Sequence, residues 1–324
     1  MLLVILSVAP WVACRSSCGK APEPAAAQAP QASPPAAAGR LAMPATLLQL
    51  DKSAYHTRIE LTADAIYLLT MDGAFRLAPG QPPQESKLEL SDNGVATPSA
   101  FIYWSKGSFW LAPKKGGPPG RIADVKERPI FIVSVEERFA WIAPDGQGRH
   151  TVYTLRQGEP YALHTLAGTA AAATMVDDVV VFVERVEGGW RLGSVARGGG
   201  PANFTTTRTG PYPAMLTAAG DVYYYFWDDK KTSEVRAVSP DLRSERVVAS
   251  HVTCSPLAVA DRLFCVSMEG LFEISPSSGL PKLVYPGDGP STTTIAADRN
   301  RIVWVRDAGA EKLEVKLIDR NAIP

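Results

Sequence analysis

The sequence predicts an all-β fold, a β-propeller of seven four-stranded blades, and three observations carry that prediction. Short β-branched and aromatic runs bounded by turn residues recur from about residue 47 onward. The helical period is absent from the same stretch. One run type returns at a near-constant interval: Ala65-Ile66-Tyr67-Leu68-Leu69, Phe101-Ile102-Tyr103-Trp104, Phe139-Ala140-Trp141-Ile142, Val180-Val181-Phe182-Val183, Val222-Tyr223-Tyr224-Tyr225, Leu263-Phe264-Cys265-Val266 and Ile302-Val303-Trp304-Val305. Between Tyr67, Tyr103, Trp141, Phe182, Tyr224, Phe264 and Trp304 the intervals are 36, 38, 41, 42, 40 and 40 residues, the length of one blade. Six or eight blades stay open at this level.

The elements of a repeat follow in order. Runs rich in small residues precede most copies, as at 170–174, 256–259 and 294–297, and an acidic residue usually joins the two: Asp64, Glu137, Asp178, Asp221, Asp261 and Asp298. These read as the innermost strand and its turn into the aromatic second strand. After a polar loop comes a third strand, at 74–77, 108–111, 152–155, 190–192, 235–238, 271–274 and 313–317. An outer fourth strand is weaker, with candidates at 87–90, 120–123, 162–165 and 282–285.

The last repeat stops after its third strand, while an unassigned apolar run, Ala45-Thr46-Leu47-Leu48-Gln49-Leu50, precedes the first. Residues 45–51 are therefore expected to form the outer strand of the seventh blade. Closing the ring in this way removes a seam of unpaired backbone between the first and last blades.

Ahead of the propeller the chain changes character. Residues 1–13 are an apolar run too short to span a bilayer, which suits a signal-peptide core. Ala13 before Cys14 resembles the lipobox of bacterial lipoproteins, which implies a lipid on Cys14; an ordinary cleaved or uncleaved signal peptide and a cytosolic chain are the alternatives. Residues 21–46 are rich in Pro and Ala and lack periodic apolar positions, as a tether would. At about 3.1 Å per residue it reaches roughly 80 Å. The expected partition is 1–20 signal, 21–44 tether and 45–324 propeller. The expected location is the cell envelope, as an exported outer-membrane lipoprotein facing periplasm or exterior, with membrane contact only through the anchor.

Lys plus Arg and Asp plus Glu both total 33, so no excess positive charge is available for a phosphate backbone, and nucleic acid is not an expected partner. The four histidines, His56, His150, His164 and His251, show no metal-ligand spacing, and no Gly-x-Ser-x-Gly elbow is present. Asp145-Gly146-Gln147-Gly148 and Gly287-Asp288-Gly289-Pro290 read as tight turns. No metal, cofactor or catalytic residue is expected.

Cys254 and Cys265 fall on the first and second strands of the sixth repeat, joined by a short hairpin. An exported chain admits a disulfide there; two buried free thiols are the other reading.

Ile102-Tyr103-Trp104-Ser105-Lys106 resembles the Tyr-Trp-Thr-Asp strand of YWTD-like propellers. Lys114-Lys115-Gly116-Gly117-Pro118-Pro119 and Arg197-Gly198-Gly199-Gly200-Pro201 resemble the Gly-Gly-x-Pro turn that TolB-like and YWTD-like propellers use between third and fourth strands. The resemblance implies protein or ligand binding in the envelope more often than catalysis. YWTD-like rings usually have six blades, so the count of seven rests on the repeat alone.

Function on a propeller concentrates on loops rather than in packed sheets. The loops from second to third strand share one end of the ring and carry Asp72, Lys106, Arg149, Glu187, Asp228, Asp229, Lys230, Glu269 and Asp307, with Trp227 at a loop mouth. A mixed-charge face of this kind suits a peptide or protein; a solvated rim is the other reading. The expectation is a monomeric, noncatalytic, lipid-anchored envelope propeller that binds a protein or peptide partner there. The alternative is a metal-assisted lactonase-like or other small-molecule enzyme with convergent Glu, Asp and Asn side chains at the central channel, against which the small inner-strand residues argue.

Overall fold

The computed structural model describes residues 45–322 apart from breaks at 52–57, 63–64, 71–72, 79–80, 87–93, 214, 228–232, 253–256, 260–261, 268, 276–278, 288–291 and 310–311. A lone strand, β1 (Ala45–Asp51), comes first. Blade one follows as β2 (Arg58–Leu61), β3 (Ile66–Thr70), β4 (Gly73–Leu77) and β5 (Gln84–Ser86), and blade two as β6 (Gly94–Ala96), β7 (Ala100–Ser105), β8 (Ser108–Pro113) and β9 (Gly120–Asp124). Blade three holds β10 (Phe131–Val135), β11 (Arg138–Pro144), β12 (His150–Arg156) and β13 (Glu159–Thr165). Blade four holds β14 (Thr169–Val176), β15 (Val179–Val186), β16 (Gly189–Ala196) and β17 (Asn203–Phe204). Blade five comprises β18 (Met215–Ala219), β19 (Asp221–Trp227), β20 (Ser233–Val238) and β21 (Glu245–Val252). Blade six comprises β22 (Leu257–Val259), β23 (Leu263–Ser267), β24 (Gly270–Ile274) and β25 (Pro281–Pro286). Blade seven is built from β26 (Thr292–Ala297), β27 (Arg301–Gly309), β28 (Lys312–Asp319) and, returning from the start of the chain, β1.

Every blade is an antiparallel four-stranded sheet, and seven such sheets form the propeller. The second-strand runs land on β3, β7, β11, β15, β19, β23 and β27, and the third-strand runs on the strands after them. In blade one the described outer strand is 84–86; the expected run at 87–90 lies outside the described residues. The outer strands β17 and β21 of blades four and five have no counterpart among the sequence candidates.

The core is partitioned by blade interface. Phe101 and Tyr103 on β7 pack with Tyr67 of blade one, whereas Ile102 between them packs with Trp141 of blade three. Alternate residues of one strand thus serve opposite neighbours, and both faces of a blade are covered. This is why the second strands read as unbroken apolar runs rather than alternating ones. The reference aromatics are all buried, from 0% exposure at Phe182 and Tyr224 to 6% at Tyr103. Ring geometry follows: Tyr67 meets Phe101 edge-on at 5.0 Å between centroids, and Phe109 meets Trp141 at 4.9 Å. Truncating such a residue to alanine costs about 3–5 kcal/mol in a packed core.

Acidic residues after the innermost strands fasten neighbouring blades. Glu137 accepts hydrogen bonds from Thr97 Oγ1 at 2.8 Å, Ser99 N at 2.9 Å and Ser99 Oγ at 2.8 Å, all from the matching turn of blade two. Asp178 pairs with Arg197 of its own blade at 2.8 Å and with Arg138 of blade three at 3.5 Å. Between blades four and five, Arg208 Nη1 donates to Tyr224 Oη at 2.8 Å and Glu245 Oε1 at 2.9 Å, and Glu245 Oε1 also accepts from Tyr224 Oη at 2.6 Å and from Arg236 Nη1 at 2.8 Å. Burial alone would raise the Glu245 carboxyl, but the three donors outweigh it and hold it down at about 2. The same burial and the bond to Glu245 push the Tyr224 hydroxyl above its ordinary range.

The ring closes where the sequence predicts. β1 lies antiparallel to β28, with Ala45 opposite Leu317 and Asp51 opposite Lys312. Leu47 and Leu48 pack against the cluster of Ile59, Leu68, Val303 and Val315 that joins blades seven and one. Gln49 Nε2 donates to Glu314 Oε1 at 3.0 Å, and Lys316 Nζ donates to Thr46 Oγ1 at 2.6 Å. Burial would raise Glu314, yet its bonds from Arg306, Lys316 and Gln49 bring it to about 2.

Two outcomes are expected. Deleting residues 45–51 lowers the melting temperature of the whole propeller in one cooperative step, by about 2–4 °C for each kcal/mol lost; an unchanged melt would refute closure by this strand. Glu245 and Glu314 are depressed on folding, so their contribution is complete above the unfolded carboxylate range and is lost as pH falls towards about 2. Glu245→Gln should therefore melt below the parent at about pH 6, with the gap narrowing towards about pH 2 in pH-scanned calorimetry.

Candidate functional site

The loops between second and third strands do share one end of the ring. Lys106 sits with Gly107 in the two-residue turn from β7 to β8, at φ of 50° and 81°. Both central positions of such a hairpin need positive φ, which glycine takes at no steric cost. Arg149 closes the β11–β12 loop, Glu187 lies in the β15–β16 turn and Glu269 in the β23–β24 turn, and all four side chains are exposed. Trp227 ends β19 opposite Ser233, and Asp307 lies on β27 opposite Leu313. Asp72, Asp228, Asp229 and Lys230 lie outside the described residues, as do Cys14 and Cys254. Cys265 is fully buried on β23 and is disulfide-bonded.

Among the described residues, these turns belong to different blades. The structure commits Arg149 to its own loop. Asp145 Oδ1 accepts from the backbone N–H groups of Gln147 at 2.8 Å and Arg149 at 2.9 Å, while Arg149 Nε donates to Asp145 Oδ2 at 2.9 Å. Desolvation would raise the Asp145 carboxyl, but the donors from Arg149 and Gln147 hold it below its usual value. The loop is thereby a preformed wall.

That wall bounds a cleft of about 280 Å³ between blades two and three. Its floor is Trp141, Tyr153, Ala143 and Val125; Pro144 lies beside it, and Lys126 and Glu127 stand at the rim. Trp141 and Tyr153 stack at 5.6 Å and 15° between ring planes. The two nearby indoles differ. Trp104 Nε1 donates to the Val125 carbonyl at 2.7 Å, whereas Trp141 Nε1 is buried without a hydrogen-bond partner. Leaving a buried donor unsatisfied costs about 1–3 kcal/mol.

Of the cleft residues, Trp141 stood out in the sequence only as a repeated second-strand aromatic and Asp145-Gly146 only as a tight turn. Trp141 and Tyr153 occupy ordinary strand positions, where core is the default reading. The signal that could have found the cleft is the outer segment Val125-Lys126-Glu127, which leaves β9 and hangs over the next blade. For the metal-assisted alternative, no group of three or more His, Cys, Asp or Glu side chains converges among the described residues.

No family model and no curated protein matches the chain. Solved structures share its fold. An oligogalacturonate lyase from Vibrio parahaemolyticus is 9% identical with a TM-score of 0.64, covering 87% of this chain and 94% of that one. The β-propeller domain of Cps50 (Swd1) from Myceliophteria thermophila gives 9% and 0.61 over 85% of this chain and 100% of that one. A puromycin-hydrolyzing peptidase from Mycobacterium tuberculosis gives 11% and 0.59 over 82% of this chain, which spans 52% of the peptidase. The expectation that the chain is not an enzyme is corrected here: a lyase and a peptidase share this propeller shape, so the scaffold gives no ground for excluding catalysis.

Asp145→Ala should release the loop without unfolding the domain. Amide hydrogen exchange at Gln147 and Arg149 is expected to quicken while the melting temperature stays close to the parent's; unchanged protection would show that the backbone alone holds the wall.

Proposed function

We propose that this chain is an exported propeller, lipid-anchored through Cys14 in the cell envelope, that binds a peptide segment of a partner protein at the loop end between blades two and three. The observation that carries this reading is the apolar cleft over Trp141 and Tyr153, walled by the Asp145 loop. An extended peptide offers both complements: a flat or apolar side chain for the floor and polar backbone groups for the charged rim. Recognition of extended segments on aromatic-lined grooves follows this chemistry. Lys126 and Glu127 at the rim supply charges of both signs for orientation, contributing more to selectivity than to affinity. Such binding suits the TolB-like and YWTD-like envelope propellers that the turns of this sequence resemble.

An exported setting also accounts for a disulfide at Cys265, which we assign to Cys254 across the first hairpin of blade six. Closing so short a loop stabilises by about 2–3 kcal/mol.

The test is selection from a random peptide display library on the immobilised full chain, followed by affinity measurement for the enriched sequences. Tyr153→Ala is expected to weaken them by at least about tenfold, or 1.4 kcal/mol, and ligand should shift the Trp141 indole N–H resonance. Failure to enrich any peptide, or equal binding by a folded Tyr153→Ala variant, would overturn the reading.

A further inference from the structure

A larger cavity of about 470 Å³ opens at the opposite end of the ring, where the innermost strands of blades one to three finish. Its chemistry is set by β2, which reads Arg58-Ile59-Glu60-Leu61. Ile59 packs into the interface with blade seven, and strand alternation therefore turns Arg58 and Glu60 towards blade two. There they meet Lys114 from the β8–β9 turn and Glu136 from the β10–β11 turn, with Thr97 and Ser134 between them.

The four charged groups are held differently. Lys114 Nζ donates to the Thr97 carbonyl and lies 4.7 Å from the Tyr67 ring centre and 5.3 Å from that of Phe101. Its ammonium is fixed between two blades with little rotamer freedom left to lose. Glu60 Oε1 is buried and, although Arg58 Nε stands 2.6 Å away as an ion-pair partner, no hydrogen bond reaches it. The Arg58 side chain is 48% exposed. Glu136 is the outermost group, 73% exposed and 2.9 Å from Arg138 Nη2.

Two cations and two carboxylates thus line one concave space. A ligand of either sign alone would meet two like charges, and an apolar ligand would complement none of the four. A small molecule with an ammonium and a carboxylate a few bonds apart complements both pairs. We infer that this cavity binds a small zwitterion of the free amino-acid class, its ammonium donating to Glu60 and its carboxylate accepting from Lys114 and Arg58. The volume lies within the range of small-molecule sites. The site stands at the other end of the ring from the peptide cleft, so neither reading depends on the other.

The experiment is calorimetric titration of the full chain with the standard L-amino acids, each beside its N-acetyl and its carboxamide derivative. At least one free amino acid is expected to bind, and blocking either terminus should weaken it by at least about tenfold. Glu60→Gln and Lys114→Met should produce similar losses. Glu136→Gln, on an exposed side chain, serves as the folded variant if those two melt, with a loss of about threefold or more. The inference fails if no free amino acid binds, if a blocked derivative binds as tightly, or if the folded variants bind unchanged.

Discussion

The pairing of β1 with β28 is the contact on which the rest of the molecule depends. Each blade buries both faces against neighbours, so an open ring would expose the faces of blades one and seven together and leave β28 with an unpaired edge. Residues 45–51 remove both defects: their backbone completes the seventh sheet, and Leu47 and Leu48 enter the core between the first and last blades. The polar bonds around Glu314 then hold the register. A strand from the start of the domain thus joins the end of the chain in one cooperative unit.

Within the closed ring the two ends have different chemistry. At the end carrying the turns from first to second strand, polar side chains cross between blades, as Glu137 does to Thr97 and Ser99. These contacts tie the blades together and leave a charged cavity where the innermost strands of blades one to three finish. At the opposite end, the Asp145–Arg149 turn is largely satisfied within itself, and the Gly107 carbonyl accepts from Val125 N. What lies between them is apolar: the cleft over Trp141 and Tyr153. One scaffold therefore presents a polar and an apolar concavity on separate surfaces.

Legibility in the sequence differed between these features for physical reasons. The loop end was readable because second-strand runs and their polar loops recur in phase, placing Lys106, Arg149, Glu187 and Glu269 at equivalent positions. The cleft was not, because Trp141 is simultaneously a packed ring and a cleft wall, and one-dimensional patterning registers only the first role. The charged cavity escaped for a related reason. Inner strands such as β14 and β26 are rich in Ala and Thr, which suggests a channel lined by small residues, yet β2 breaks the trend with Arg58 and Glu60. The acids Glu137 and Asp178 were visible as turn residues, but their role in fastening blades needs the neighbouring blade in place.

The amino-acid order by itself determined the fold class, the phase of the strands and the closing segment, while the seven sheets of the structure decided the number of blades that the sequence left open. The first three properties follow from local periodicity: a strand buried on both faces must be apolar without interruption, and a blade must repeat its turns at a fixed length. Only the tertiary structure decided where concave surfaces arise and which polar groups remain unsatisfied in them. Trp141 and Trp104 are both indoles on blade second strands, yet the Val125 carbonyl reaches one donor and not the other. Likewise Glu60 acquires its significance from Lys114, 54 residues away in sequence, because the spacing between two blades brings them to the same cavity. Such juxtapositions depend on how rigid sheets pack around the ring, which no repeat within a single blade encodes.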